Sequence, residues 1–207
     1  MKIGLITDVH NDAIRLRNAL DVFSLRGVDQ ILTIGDTFDP MVEPAGITEV
    51  AQLLSERHVI GVWGNHDYCF CREIPECYIA RYPAAMFDYL KSIGPSIELG
   101  EIHFSHREVF VDPFDPIQLW DLTGDEIDNL ERAQRALREG SYKLQFVGHY
   151  HAWMAFDQTG QLDWNGDRKL QFNTNQRYFV VVAALRDGWC ALLDTDEQSL
   201  EPIECKV

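Results

Sequence analysis

Positive charge is scarce in this chain of 207 residues. Eighteen Lys and Arg face 33 Asp and Glu, for a net charge of −15. Long nucleic acids bind through phosphates that need a basic surface to displace counterions, so this deficit argues against them as partners. It argues equally against anionic membranes. Long apolar runs are also missing, and none approaches the roughly 20 residues that cross a bilayer. Lys2 is followed by a short apolar run that ends at once in Asp8, which is not a secretory pattern, so the expected compartment is the cytoplasm. The five cysteines are odd in number and form no C-x-x-C, against a complete disulfide framework. Cys69, Cys71 and Cys77 cluster in "CFCREIPEC" with no fourth ligand nearby, and read as reduced thiols rather than a soft-metal or redox site. No internal repeat, low-complexity segment or linker interrupts the chain. One domain over residues 1–207 is expected, with ample length for a core.

What the sequence does contain is an alternation of strand and helix signals. Ile3–Ile6 reads as a buried strand. Ala13, Leu16, Leu20 and Phe23 then recur at helical spacing up to Gly27. "QILTIGD" is a second strand, Ile47, Val50, Ala51 and Leu54 mark a short helix, and "HVIGVWGNHD" holds a third strand. This order predicts a parallel sheet with crossover helices. Tyr68–Arg81 shows no clear period and reads as a long loop, and Pro83 suits the start of a helix through Leu90. "SIELGEIHFSH" predicts two strands around Gly100. Thr123–Glu126 is a capping box for a helix with Ile127, Leu130 and Leu137 on one face, closed by Gly140. "KLQFVGHYH" is another strand. Trp153–Phe156, Arg177–Ala184, Cys190–Leu193 and Pro202–Cys205 predict an antiparallel or mixed tail.

The strand ends carry the chemistry. The stretch "TDVHND" closes the first strand with Asp8 and His10. In extended chain, residues two apart face the same side, giving either half a metal site or an Asp–His pair. The other endings decide between these: Asp36 in "GDTFD", Asn65 and His66 in "GNHD", His106 in "FSHRE", and His149 and His151 in "GHYH". Ligands of open α/β sheets bind at the carboxyl ends of strands. Only His58, read as structural or surface, and His103 fall outside these endings. Three endings follow a glycine, read as a sharp turn that aims the next side chain into a cleft. Mixed oxygen and imidazole donors suit Mn, Fe, Zn or Ni. Seven donors are too many for one such ion and about right for two with a shared carboxylate. His66, adjacent to Asn65, should point away from the metal that Asn65 binds.

D-x-H, G-D-x-x-D, G-N-H-D, a later His and G-H-x-H, in that order from Asp8 to His151, resemble the calcineurin-like metallophosphoesterases. The resemblance implies a four-layer α/β/β/α sandwich of two mixed sheets flanked by helices. It implies that Asp8, His10 and His151 hold one metal, that Asn65, His106 and His149 hold the other, and that Asp36 bridges them. It also implies that Asp39 orients His66, the proton donor to the leaving group. Two departures stand out. Arg107 follows His106 where relatives often have Gly, and is either exposed, salt-bridged or in reach of a substrate phosphate. Ala184 and Leu185 stand where many relatives carry a Gly-Ser turn. His103 is an alternative ligand to His106, but His106 sits nearer its strand's end.

The expected activity is metal-dependent hydrolysis of phosphate esters, mono- or diester, by a hydroxide bridging two divalent ions, manganese among the candidates. The expected partner is a small phosphorylated substrate, and a small chain without an obvious cap favours small phosphodiesters or nucleotides. The alternative is a protein-binding scaffold of the same fold that has lost catalysis. The retention of every expected ligand and of His66 weighs against it.

Overall fold

Apolar residues at alternating positions set the strands of the computed structural model, which describes residues 1–41, 45–72, 74, 76–122 and 128–205, without the side chain of Cys77. The chain opens with β1 (Lys2–Ile6), α1 (Ala13–Leu25), β2 (Gln30–Ile34), α2 (Ile47–Glu56) and β3 (Ile60–Val62). Two four-residue helices follow, α3 (Tyr68–Cys71) and α4 (Glu76–Ile79), then α5 (Ala84–Ser92). A hairpin of β4 (Ser96–Leu99) and β5 (Ile102–Ser105) leads to α6 (Pro116–Leu119) and α7 (Asn129–Glu139). The remainder is strand-rich: β6 (Leu144–Val147), β7 (Met154–Asp157), β8 (Gly160–Gln161), β9 (Leu170–Gln171), β10 (Tyr178–Val181), β11 (Trp189–Asp194) and β12 (Ser199–Glu204).

The strands form two mixed sheets of six, ordered β3-β2-β1-β11-β12-β9 and β4-β5-β6-β10-β7-β8. β1, β2 and β3 run parallel in the first, and β5, β6 and β10 run parallel in the second. Ile3 and Leu5 of β1 pack with Leu32, Ile34, Phe104, Phe146 and Val180 between the sheets. Ile6, on the opposite face of β1, joins Leu16, Leu20 and Phe23 of α1 and Val50 and Leu54 of α2 in an outer core. On the far side, Phe179 and Val181 of β10 meet Ala133, Ala136 and Leu137 of α7. The period of two along β1 and β10 thus feeds two layers at once, and the result is the expected α/β/β/α sandwich.

Some local expectations fail. Tyr68–Arg81 is not an open loop: α3 and α4 occupy much of it, and Phe70 and Tyr82 are buried against each other with ring centroids 5.2 Å apart. A single apolar anchor per four-residue helix leaves no period to read. The capping box at 123–126 lies, with Ile127, outside the described residues. The observed cap of α7 is Asp128, which accepts from the Glu131 N–H at 2.8 Å. Leu130 is 39% exposed, because α7 buries Arg132, Ala133, Ala136 and Leu137. At ~100° per residue, Leu130 lies about a quarter-turn from the centre of that face. The carboxyl ends of β1, β2, β3, β5 and β6 are where the charged motif residues begin.

Candidate metal centre

The rim is built by backbone that leaves the extended conformation as soon as each strand ends. Asp8, His10, Asp36, His149 and His151 all have φ between 45° and 70°, in the left-handed region that non-glycine residues seldom adopt. Asp8 and His10 therefore do converge, but through two such residues rather than by the alternation of an extended strand. Left-handed backbone costs of order 1–3 kcal/mol per residue and persists where the surroundings over-determine it, as at functional sites. Of the three motif glycines, only Gly35 turns with positive φ, 86°. Gly148 instead provides clearance: a Cβ there would lie 1.9 Å from Thr7 Oγ1 and 2.9 Å from Asp8 Oδ2.

Three groups of side chains meet on this rim, each with donor atoms within 4.8 Å of one another: Asp8, His10 and His151; Asp36, His106 and His149; and His10, Asp39 and His66. Asp8 Oδ1 lies 3.2 Å from His151 Nε2 and 3.8 Å from His10 Nε2, while its Oδ2 accepts from Thr7 Oγ1 and the His149 N–H. Asp36 Oδ2 lies 3.1 Å from His106 Nε2 and 4.0 Å from His10 Nε2. Its Oδ1 accepts the His66 N–H at 2.9 Å. Asn65 Oδ1 lies 3.0 Å from His106 Nε2 and 2.9 Å from His149 Nδ1. Asp39 serves two histidines: Oδ2 is 2.8 Å from His10 Nδ1 and Oδ1 is 2.9 Å from His66 Nδ1.

The donor set fits cations. Asp8 Oδ1 and His10 Nε2 are buried and have no hydrogen-bond partner. His106 Nδ1 donates to the Ile34 carbonyl at 2.8 Å, so in the neutral ring Nε2 is a lone pair. That lone pair faces two further acceptors, Asp36 Oδ2 and Asn65 Oδ1, an arrangement that needs a positive charge between them. In the protein alone a proton supplies it. Burial pulls the His106 imidazole down, but the charges of Asp36 and Asp8 outweigh this and raise it to about 9. Burial also opposes ionisation of Asp8, yet the imidazoles of His10 and His151 beside its Oδ1 hold its carboxyl well below the usual carboxylate range. Burial, with the charges of His106 and Arg107, pushes His149 down to about 2, so it stays neutral.

Every residue expected at the site from sequence lies on this rim. His103 does not: it stacks on Tyr142 with ring centroids 4.5 Å apart. His58 is exposed in the turn after α2. Cys69 and Cys71 are free thiols, both raised by burial. Several contributors were missed. Asp187 Oδ2 is 3.2 Å from His151 Nδ1, on the short turn after Ala184 and Leu185. Asn11 clamps Asp39 by donating to its carbonyl at 2.8 Å and accepting its N–H at 3.0 Å. Asp67 accepts the N–H groups of Thr37, Phe38 and Gly64, tying the β2 and β3 ends together. Asn11 and Asp67 both sit inside quoted motifs, which was the only signal available.

Arg107 is 3% exposed, which excludes the exposed reading. It does not reach toward a phosphate either. Nε is 3.2 Å from Glu108 Oε2, and Nη1 donates to the Leu119 carbonyl at 2.9 Å and to His149 Nε2 at 3.2 Å. The salt-bridged alternative is the one observed, because Glu108 is buried beside it. Arg132 and the Tyr150 hydroxyl also contact Glu108.

With this geometry in place, comparison with known proteins is decisive. The sequence profile of the calcineurin-like phosphoesterase superfamily domain matches residues 1–183. The chain belongs to this superfamily. It is a metal-dependent hydrolase of phosphate esters, in a family whose centre is dinuclear. An uncharacterized protein of Methanocaldococcus jannaschii is 24% identical over 206 residues, covering 90% of this chain and 78% of that protein. A metallophosphoesterase from Sphaerobacter thermophilus has the same fold, with a TM-score of 0.71 at 23% identity over 100% of this chain and 89% of that one. An archaeal phosphodiesterase superposes with a TM-score of 0.55 at 15% identity over 99% of both chains. Among the described residues no helix is long and apolar enough to cross a membrane.

Arg107→Ala tests the clamp. Breaking a buried ion pair costs about 3–5 kcal/mol. Arg132 Nη1, 3.6 Å from Glu108 Oε1, keeps part of the compensation, so the lower end is expected. Urea denaturation should show a stability loss of about 3 kcal/mol. An arginine that bound phosphate would instead leave the urea midpoint unchanged and raise KM.

Proposed function

We propose that the chain hydrolyses small phosphodiesters at two divalent cations held on this rim. Asp8, His10 and His151 would hold one, and Asn65, His106 and His149 the other, with Asp36 between them. The observation that carries this reading is Asp36 Oδ2, a single oxygen facing both His10 Nε2 and His106 Nε2 at 4.0 and 3.1 Å. Because Oδ1 is taken by the His66 N–H, the shared contact falls to Oδ2 alone rather than to one oxygen per cation. Bound there, two such ions supply Lewis acidity and a water of lowered pKa. Manganese, iron, zinc or nickel suit the mixed donors.

The remaining roles fall to the chain itself. Asn65 contributes a neutral amide oxygen, which limits negative charge beside Asp36. With Nδ1 against Asp39, His66 has Nε2 to pass a proton to the leaving oxygen. Asp39 fixes His10 and His66 together, so one carboxylate orients both a cation ligand and the acid. Arg107 is committed to Glu108 and the Leu119 carbonyl, so its guanidinium is not offered to a dianionic monoester. This favours the singly charged diester. A scaffold role would require none of this pairing between Asp39 and His66.

Asp36→Asn should cost more than any other single change. An amide with its oxygen on the His66 N–H presents an NH₂ to both groups, and NH₂ cannot bind a cation. Metal content and turnover should both collapse, and normal loading with two ions would sink the shared role of Asp36.

Loading should also release protons. His106, raised to about 9, holds a proton at pH 7 that a cation at Nε2 must displace. Adding manganese to metal-free protein in weak buffer at pH 7 should release about one proton or more per chain, falling off as pH rises past about 9. Constant pH on loading would place the cation elsewhere.

His66→Ala should separate binding from catalysis. Asp39 keeps its contact with His10, and the residue 66 N–H to Asp36 survives in alanine. Metal content should stay normal. Hydrolysis of alkyl diesters should fall by about 10²–10⁴, while nitrophenyl diesters, whose leaving group needs little protonation, lose far less. Equal losses on both would remove the proton-donor role.

A further inference from the structure

A cleft of about 560 Å³ opens directly beside Asn65 and His66. Its size falls within the range of small-molecule sites. Three aromatic residues from three different segments face it: Tyr68 of α3, Tyr78 of α4, and Trp120 just after α6. Trp120 also lies against the proposed proton donor, its ring centroid 4.6 Å from that of His66 at an interplanar angle of 50°. A planar group stacked on this indole is therefore beside the His66 imidazole. Tyr68 is held in place by its hydroxyl, which donates to the Phe114 carbonyl at 2.8 Å. Trp120 is held by its neighbour, since the Leu119 carbonyl takes the buried Arg107 Nη1.

The net charge is −15, yet none of the described residues lining the cleft is acidic, and Arg72 is among them. Aromatic faces with one cation fit a nucleobase, because every base has a π-face to stack.

Building on the phosphodiesterase reading above, we infer that this cleft receives the nucleoside half of a nucleotide phosphodiester, and that this half is the leaving group. The oxygen of water bonds to phosphorus. The bond from phosphorus to the nucleoside oxygen breaks with its electron pair on that oxygen, which takes a proton from His66. The proton that water loses restores His66. One diester and one water give one monoester and one free nucleoside.

The methyl ester of adenosine 5′-monophosphate tests this, because it can lose either alcohol. The manganese-loaded enzyme should yield adenosine and methyl phosphate, not adenosine monophosphate and methanol. The methyl ester of ribose 5-phosphate, with the same leaving oxygen and no base, should be cleaved with a kcat/KM about tenfold lower or less. In Trp120→Ala the ratio of these two kcat/KM values should fall about tenfold. A loss of folded protein lowers both values together and leaves the ratio intact. Release of methanol, or an unchanged ratio in Trp120→Ala, overturns the assignment of the cleft. Bis(4-nitrophenyl) phosphate separates this from the reading beneath it. If that diester is hydrolysed while the two methyl esters are not discriminated, the nucleoside proposal falls alone. If it is not hydrolysed by enzyme carrying two ions, both fall.

Discussion

Four carboxylates buried on one rim are the constraint that the rest of this structure answers. Asp8, Asp36, Asp39 and Asp67 are each at most 2% exposed, and like charges this close in poorly solvated surroundings repel strongly. Each is relieved differently. Asp8 leans on two imidazoles, a threonine hydroxyl and a backbone N–H. Asp36 faces His106, which holds a proton until something of higher charge replaces it. Asp39 sits between His10 and His66. Asp67 has no cationic partner among the described residues: burial and the charge of Asp36 push it up to about 7, and three backbone N–H groups partly offset this. The left-handed backbone at five rim residues follows from the same demand, since it aims these side chains at one another.

Much of this was legible beforehand, because the informative residues come in fixed order at strand ends. Asp8, His10, Asp36, Asn65, His106, His149 and His151 can be found by asking which apolar runs stop at a metal-capable residue. The layers of the fold are likewise written in β1 and β10, where neighbouring apolar residues serve opposite faces. What could not be read were contacts closed by tertiary approach. Asp39 touching His10, Asp187 touching His151, and Asp67 spanning two strand ends join residues 29, 36 and about 30 positions apart. No local spacing encodes such distances. The convergence of Asp8 and His10 was anticipated for a reason that the backbone does not obey, which shows that a motif can outlive its simplest geometric explanation.

Arg107 illustrates the opposite difficulty. A charged residue beside a candidate metal-ligating histidine invites a substrate role, and nothing in its local sequence distinguishes that from a structural one. Its meaning depends on Glu108, Arg132 and Tyr150, which the fold gathers into one buried polar cluster behind the rim. Arg107 Nη1 also reaches His149 Nε2, so the cluster backs the rim directly. The cluster also anchors the segment carrying Trp120, through the carbonyl of Leu119.

The clearance at Gly148 has a consequence for how such an enzyme can change. Where a single methyl group would strike Thr7 and Asp8, inheritance has almost no latitude, and the rim must be passed on nearly whole. The walls supplied by α3, α4 and the end of α6 contain no glycine held to such clearance. Under the proposed reading, what is cleaved can change at Tyr68, Tyr78 and Trp120 while the manner of cleavage is held by sheer lack of room.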